Sequence, residues 1–180
     1  MDSSEWRGYA DATVTDPRAA YDDLLVRRDG ETVDADAFAA ATEVEAYRSG
    51  WVAVGTVLDD NGRLLLIYQE KDEQWFLPGG TLRPDESLEE GLIREVHEET
   101  GIAVTPERPH AVARWELRHE DRRVGFRVVN FEATPEGTEP ASDPGVEDES
   151  IGEVRWVDSL PDRVFQRELT ETVLERVRER

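Results

Sequence analysis

The sequence contains no cysteine, which excludes disulfide frameworks and thiolate zinc sites. Lysine is almost missing as well: Lys71 is the only one, and every other basic residue is arginine. There is no long apolar run. The longest aliphatic stretch, Leu64–Ile67, falls far short of the roughly 20 residues needed to cross a bilayer. The opening Met1-Asp2-Ser3-Ser4-Glu5 has neither a basic region nor an apolar core, so no secretory signal is expected there. Nor is there a basic stripe to neutralise phosphates, which disfavours nucleic-acid polymers and anionic membranes as partners. These absences lead to the expectation of a soluble, cytoplasmic protein.

What the chain has in excess is acid. Asp and Glu total 42 against 21 Lys and Arg, a formal net charge of -21 over 180 residues. Self-repulsion at that charge opposes compaction in dilute buffer. In molar salt the Debye length falls to about 3 Å and most of the repulsion disappears. Acid excess with lysine nearly absent resembles the cytoplasmic proteins of salt-accumulating halophiles, so the fold is expected to need high salt. Apolar residues at 38% and aromatics at 8% are enough for one packed domain. Patterned runs such as Trp51–Leu58 and Arg63–Tyr68 exclude disorder of the whole chain.

Residues 1–50 read as an N-terminal helical extension and residues 51–180 as the main domain. In the extension, Asp16-Pro17 is a good helix start, which predicts a helix over Ala19–Arg28 stopped near Asp29-Gly30. A second, alanine-rich helix is predicted over Asp34–Arg48, ended by Ser49-Gly50. The acidity of the pair disfavours DNA reading. Packing on the main domain, or on a second copy of the chain in a homodimer, suits it better. From Trp51 the period changes to that of strands. Trp51–Leu58 and Arg63–Tyr68 are joined by Asp59-Asp60-Asn61-Gly62, a hairpin signal. A short extended piece covers Trp75–Leu77. A helix is expected over Ser87–Thr100, closed by Gly101, then strands near Ile102–Val104, His110–Arg118 and Val124–Ala133. Pro135–Ser150 reads as a loop, Glu153–Val157 as a strand and Gln166–Arg178 as a helix. The pattern favours an α/β sandwich with one mixed sheet.

The chemistry is concentrated between Gly80 and Ile102. At about 100° per residue, Glu95, Glu98 and Glu99 occupy neighbouring positions on one helix face. Like charges at those spacings destabilise a bare helix, and a hard, oxygen-loving cation such as Mg²⁺ or Mn²⁺ reverses that sign. In a chain this acidic, three such glutamates are by themselves an ordinary solvated surface. Their setting is what distinguishes them: Gly80, Glu86, Arg94-Glu95-Val96, Glu98-Glu99 and Gly101-Ile102 fill every fixed position of G-x5-E-x7-R-E-U-x-E-E-x-G-U, where U is aliphatic.

This segment resembles the Nudix signature, and the preceding Trp75-Phe76-Leu77-Pro78-Gly79 is similar to the family's approach to it. The resemblance implies a Nudix-type α/β/α sandwich with a mixed β-sheet. It also implies hydrolysis of a diphosphate linkage in a nucleoside diphosphate-linked substrate by water attack on phosphorus. On the same basis Glu95, Glu98 and Glu99, with the Gly79 carbonyl, are the expected metal ligands for Mg²⁺ or Mn²⁺. Glu86 and Arg94 are the expected ion pair fixing loop to helix, although Glu90 and Glu98 also lie within reach of Arg94. Glu98 is one candidate general base, and Glu147 and Glu149 in the late loop are others, against a reading of that loop as solvated acid. The substrate class stays open among nucleoside triphosphates (oxidised ones included), nucleotide sugars such as ADP-ribose, and dinucleoside polyphosphates. No downstream proline or tyrosine marks the latter two.

Weaker candidates are Trp115, Phe126 and Phe131 for base stacking, against a plain core role. Arg114, Arg118, Arg123 and Arg127 are candidates for phosphate or sugar, against surface ion pairing. His97, His110 and His119 show no ligand spacing. Two other readings exist: a nucleotide-sensing module without turnover, which has no use for a full set of glutamates, and an isoprenoid diphosphate isomerase, which normally needs a cysteine that this chain lacks.

Overall fold

The computed structural model describes residues 7–145 and 150–180. Its larger sheet has five strands, in the spatial order β1 (Leu25–Thr32), β6 (Val104–His119), β7 (Arg122–Pro135), β2 (Trp51–Val57) and β5 (Gly79–Thr81). The sheet is mixed: β1 runs parallel to β6 and β7 parallel to β2, while β6–β7 and β2–β5 are antiparallel. A second, antiparallel sheet places β3 (Leu64–Gln69) between β4 (Gln74–Phe76) and β8 (Ile151–Val157).

Period-two alternation assigns the side chains of the larger sheet to two faces. Ala53 and Val129, in register with each other, join the main core with Leu88, Leu92 and Val96 of α3 (Leu88–Thr100). On the opposite face, Leu25 and Ala111 pack against Val173 and Val177 of α4 (Arg167–Arg178). Farther along that face Leu117 and Val124 meet α1 (Ala35–Thr42) and α2 (Glu45–Ser49) through Phe38, Ala41 and Tyr47. The result is the α/β/α sandwich. The alternation in β3 likewise sends Leu65 to the main core, and Leu64 and Leu66 to a second cluster with Leu174 of α4.

α3 begins where the sequence indicates. Ser87 Oγ accepts from the Glu90 N–H at 3.1 Å, and Glu90 Oε2 accepts from the Ser87 N–H at 2.9 Å. This reciprocal cap satisfies two otherwise orphaned donors. Gly101 ends the helix at φ +75°, a conformation that glycine adopts without a Cβ penalty.

Three expectations change. The helix expected over Ala19–Arg28 is only a 3-10 turn, Pro17–Ala19, capped by Asp16; the chain then becomes β1. Register with β6 from Leu25↔Ala111 to Thr32↔Arg118 supplies backbone bonds that outweigh a weak local helix preference. Gly30 is therefore a strand glycine rather than a helix stop: a Cβ there would lie 2.2 Å from the Glu116 carbonyl oxygen. The opening segment thus contributes a sheet strand as well as helices. The helix expected over Asp34–Arg48 divides into α1 and α2, separated at Glu43-Val44. The expected hairpin keeps its turn, but only the bridge Leu58↔Leu64 joins its arms. β2 and β3 then part into different sheets, so there are two sheets rather than one.

Candidate active site

The site lies where β5 and the loop after it cross the edge of α3. Gly79 adopts φ +147°, and a Cβ there would lie 2.2 Å from the Ala53 carbonyl oxygen on β2. Only glycine permits that approach. Gly80 serves a different need, because a Cβ on it would fall 2.6 Å from Oε2 of Glu95. Its missing side chain is the space the Glu95 carboxylate occupies. These two adjacent glycines thereby let β5 and α3 come into contact, and the Gly79 N–H donates to Glu99 Oε2 at 2.7 Å.

Arg94 is the hub. Its Nε and Nη2 donate to the two oxygens of Glu86 at 2.6 and 2.8 Å, a bidentate pair. Nη1 donates to Glu95 Oε1 at 2.7 Å and to Glu98 Oε2 at 3.1 Å, while Nη2 also reaches the Thr81 carbonyl at 3.0 Å. Both geometries open to Arg94 from the sequence are thus realised, with Glu86 and with Glu98, whereas Glu90 caps the helix. Arg83 adds a second guanidinium, donating to Glu98 Oε1 at 3.1 Å. The Arg94 guanidinium holds the Glu86 carboxyl below the usual carboxylate range, against the opposing effect of burial. The same hydrogen bonds to Glu86, and then to Glu95, raise Arg94 above its ordinary value.

Glu95 and Glu99 are only 8% and 4% exposed, which separates them from the solvated acids of the surface. Burying carboxylates is costly unless positive charge and hydrogen-bond donors accompany them. Here Arg94 supplies them to Glu95, and the Gly79 N–H donates to Glu99. Among the described residues no three metal-ligating side chains converge as a ready cage, because Arg94 stands between Glu95 and Glu98.

Gly79 also lines an apolar cleft on the face of the large sheet opposite α3. Val52, Val54, Phe126 and Val128 form its floor, and Phe76 and Phe165 one wall. The rings of Phe76 and Phe165 stack at 5.1 Å and 25°, yet Phe165 remains 46% exposed. Asn130 and Thr170 are buried polar residues of this cleft, and Asn130 Oδ1 accepts from Thr56 Oγ1 at 2.9 Å. Gln166, at the entrance to α4, lines the same space in a left-handed conformation with no capping role for its side chain.

Of the aromatic candidates, Phe126 reaches the cleft. Phe131 is core on the α3 face, and Trp115 packs beside α1 and α2. Phe76 and Phe165 carry no stacking signal in the sequence beyond the place of Trp75-Phe76, which Leu77-Pro78 separate from the glycines. Arg114 and Arg118 pair with Glu116, and Arg127 pairs with Asp11 and lies over the Trp51 ring. None of these three lines the cleft. Arg123 has a partner too. His110 pairs with Glu132 at 2.8 Å, and His119 bonds the Val33 carbonyl. Glu147 and Glu149 lie outside the described residues. No helix among the described residues is long and apolar enough to cross a membrane.

Comparison with known proteins agrees with this geometry. A MutT-like protein of Streptomyces ambofaciens is 36% identical over 115 residues, covering 63% of this chain and 65% of the relative. The CTP pyrophosphohydrolase of Escherichia coli is 31% identical over 84 residues, covering 44% of this chain and 57% of that protein. The chain therefore spans less than two thirds of the length of either relative. The crystal structure of a MutT protein from Bacillus halodurans superposes with a TM-score of 0.56 at 25% identity, over 69% of this chain and 81% of that one. The model of the NUDIX domain matches residues 46–161. With the box glycines and the capped acidic helix in place within that span, the chain belongs to the NUDIX domain family.

Proposed function

We propose that this chain is a hydrolase that splits a diphosphate linkage in a nucleoside diphosphate-linked substrate, with Mg²⁺ or Mn²⁺ as cofactor. The observation that carries the reading is the gathering of Glu86, Glu95, Glu98 and Glu99 around Arg94 and Gly79, with Gly79 also lining the apolar cleft on the other face of the sheet. The donor set fits a hard divalent ion, since it consists of carboxylate oxygens, to which the family resemblance adds the Gly79 carbonyl. The gap that Gly80 leaves for Glu95 suits it too. Glu95, Glu98 and Glu99 would hold it, and when bound it supplies charge neutralisation of the diphosphate and a lower pKa for water.

The chain's own residues do the rest. Glu95 and Glu99 are held by hydrogen bonds on the buried side of the cluster, which suits them to fixed ligation. The Glu98 side chain is 24% exposed against 11% for Glu95, so Glu98 is the carboxylate best placed to take the proton of the attacking water. As the new P–O bond forms, the bond to the bridging oxygen breaks, and the departing phosphate leaves with the electron pair. Glu86, through Arg94, keeps the loop and the helix in one alignment, which is where phosphoryl transfer gains most.

The cleft supports a planar, mostly apolar group beside the diphosphate. Phe76, Phe126 and Phe165 offer ring faces, and Asn130 and Gln166 offer polar recognition. Nucleoside triphosphates, oxidised ones included, fit this description, in keeping with the CTP pyrophosphohydrolase of E. coli among the relatives. The test is a panel of nucleoside triphosphates, ADP-ribose and dinucleoside polyphosphates with Mg²⁺ or Mn²⁺ in high and low salt, products identified by mass. Release of a nucleoside monophosphate and pyrophosphate, or of two phosphorylated fragments, is the expected result. Tight binding with no product from any of them would refute hydrolysis and favour a nucleotide sensor.

A further inference from the structure

Residues 8–12 lie outside the segment matched by the family model, which starts at residue 46, yet they reach the centre of the catalytic loop. Two glycines make the crossing possible. A Cβ on Gly8 would lie 2.0 Å from the Ser49 carbonyl oxygen, and Gly50, at φ +83°, has Gly8 as its nearest neighbour. Backbone therefore runs directly against backbone, and the next residue, Tyr9, points at Leu82.

The Leu82 peptide is held on both sides. Its N–H donates to the Trp51 carbonyl at 3.1 Å. Its carbonyl faces the Tyr9 hydroxyl at 2.8 Å and the Ser49 hydroxyl at 3.0 Å. The Tyr9 proton is shared with Glu45 Oε1 at 2.6 Å, which ties α2 into the same knot. Asp11 secures the strap at its other end, accepting from Trp51 Nε1 at 2.8 Å and from the Gly8 N–H at 2.8 Å.

Leu82 is also the middle of three consecutive residues held by the site. Thr81 gives its carbonyl to Arg94. Arg83 gives its N–H to Glu86 at 2.7 Å and its guanidinium to Glu98. A loop bonded only through charged, exchangeable partners could follow them when substrate arrives; one pinned at its centre by two neutral hydroxyls, that of Ser49 fully buried and that of Tyr9 partly so, is held in place.

We propose that Tyr9, with Ser49, is a positioning residue: through the Leu82 carbonyl it fixes the loop that presents Gly80 and Arg83 to the carboxylates of α3. Its catalytic consequence rests on the hydrolase reading above; its mechanical part does not. The strap is thus a working part of the site although it lies outside the family's own segment.

The test compares Tyr9→Phe, which keeps the ring, and Tyr9→Phe/Ser49→Ala with wild type. Asp34→Ala serves as control: it removes the cap of α1 in the same opening segment without touching Leu82. Hydrogen exchange is followed at the amides of residues 80–86 and at α4. In the double variant, exchange at residues 80–86 is expected to rise about tenfold, the order lost with one or two hydrogen bonds, with α4 unchanged. With the nucleotide that wild type hydrolyses fastest, kcat falls about tenfold while KM stays put, because alignment rather than binding is lost. Asp34→Ala changes neither. Unchanged exchange at residues 80–86 in the double variant, or an equal rise in Asp34→Ala, overturns the proposal. So does faster exchange with kcat untouched. If wild type hydrolyses no nucleotide, the hydrolase reading fails, and the exchange comparison still decides whether the strap holds the loop.

Discussion

Two helices of this protein carry several glutamates each, and the acids behave differently. On α3, Glu95 and Glu99 are buried and Glu98 is bound by two guanidinium groups. On α4, the Glu168 side chain is 89% exposed and stands 4.0 Å from Arg27, and Glu171 pairs with Arg167 one turn away, both half in solvent. Residue type and helical spacing are alike in the two. The surroundings differ: the acids of α3 face two glycines and a bidentate arginine, whereas those of α4 face water. In a chain with twice as many acids as bases, a working glutamate is recognised by what has been removed or positioned around it. The glutamate alone says little.

The comparison breaks or holds first at Glu98. Glu98→Gln keeps the size of the side chain and one of its two acceptor oxygens but removes the proposed base and one proposed anionic ligand. Turnover is expected to fall by roughly a hundredfold or more, with the melting temperature little changed. The same substitution at Glu171 is the control, and its rate should match wild type. Steady-state kinetics on the two purified variants decides the point. A Glu98→Gln enzyme with wild-type kcat in saturating Mg²⁺ would remove Glu98 from any essential role.

Gly80→Ala tests the neighbouring claim that the gap at Gly80 exists for Glu95. The new methyl group would overlap the Glu95 carboxylate, and overpacking of this kind costs about 1–3 kcal/mol. Because the clash falls on a side chain, part of it is relieved by expelling Glu95 from its bond with Arg94, so activity should suffer more than stability. Chemical denaturation and kcat measured on one preparation separate the two losses. No change in either would mean that the close approach at Gly80 is incidental.

Next in size is Glu86→Gln. Arg94 lowers the Glu86 carboxyl below the usual carboxylate range, so the folded state favours the ionised form. The linkage is then of the acid kind: the contribution is complete above the ordinary carboxylate pKa. It is lost as pH falls through the depressed folded value. Near neutral pH, Glu86→Gln should cost roughly 2 kcal/mol, since it breaks the bidentate pair of a largely buried arginine. The difference from wild type should shrink progressively on acidification, and denaturant midpoints across an acid series measure this. A gap that stays constant with pH would show that the pair acts by packing and not by charge.

Much of this contrast could be read from the sequence, because the box spans one loop and one helix whose signals are local. Ser87 and Glu90 cap, Gly101 stops, and the spacing of Glu95, Glu98 and Glu99 follows from helix geometry. The parts that escaped depend on partners far along the chain. Leu25–Thr32 is largely exposed and carries no alternating apolar pattern, so only its register with β6 makes it a strand. The turn at Asp59–Gly62 was legible, but the divergence of β2 and β3 depends on β7 and β8. Phe165 belongs to no strand or helix, and its backbone bond to the Trp75 carbonyl of β4 is what places it over Phe76. Tyr9 carried no signal, since its acceptor lies 73 residues away.

The smallest effect belongs to α4, where Glu171→Gln removes one negative charge and one exposed pair. The net charge moves from -21 to -20. Loss of the i,i+4 pair with Arg167 destabilises by about 0.5 kcal/mol at most, while relief of long-range repulsion acts in the opposite direction. Both are screened in molar salt, where the Debye length is about 3 Å. Wild type and variant should therefore melt together in molar KCl, each well above its own melting temperature in dilute buffer, as the halophile-like composition leads one to expect. Thermal melts over a KCl series give both comparisons at once. A wild-type melting temperature that ignores salt would count against the high-salt requirement. A Glu171→Gln loss above about 1 kcal/mol in molar KCl exceeds what an exposed pair contributes and would make α4 a structural site, erasing the distinction between the two helices.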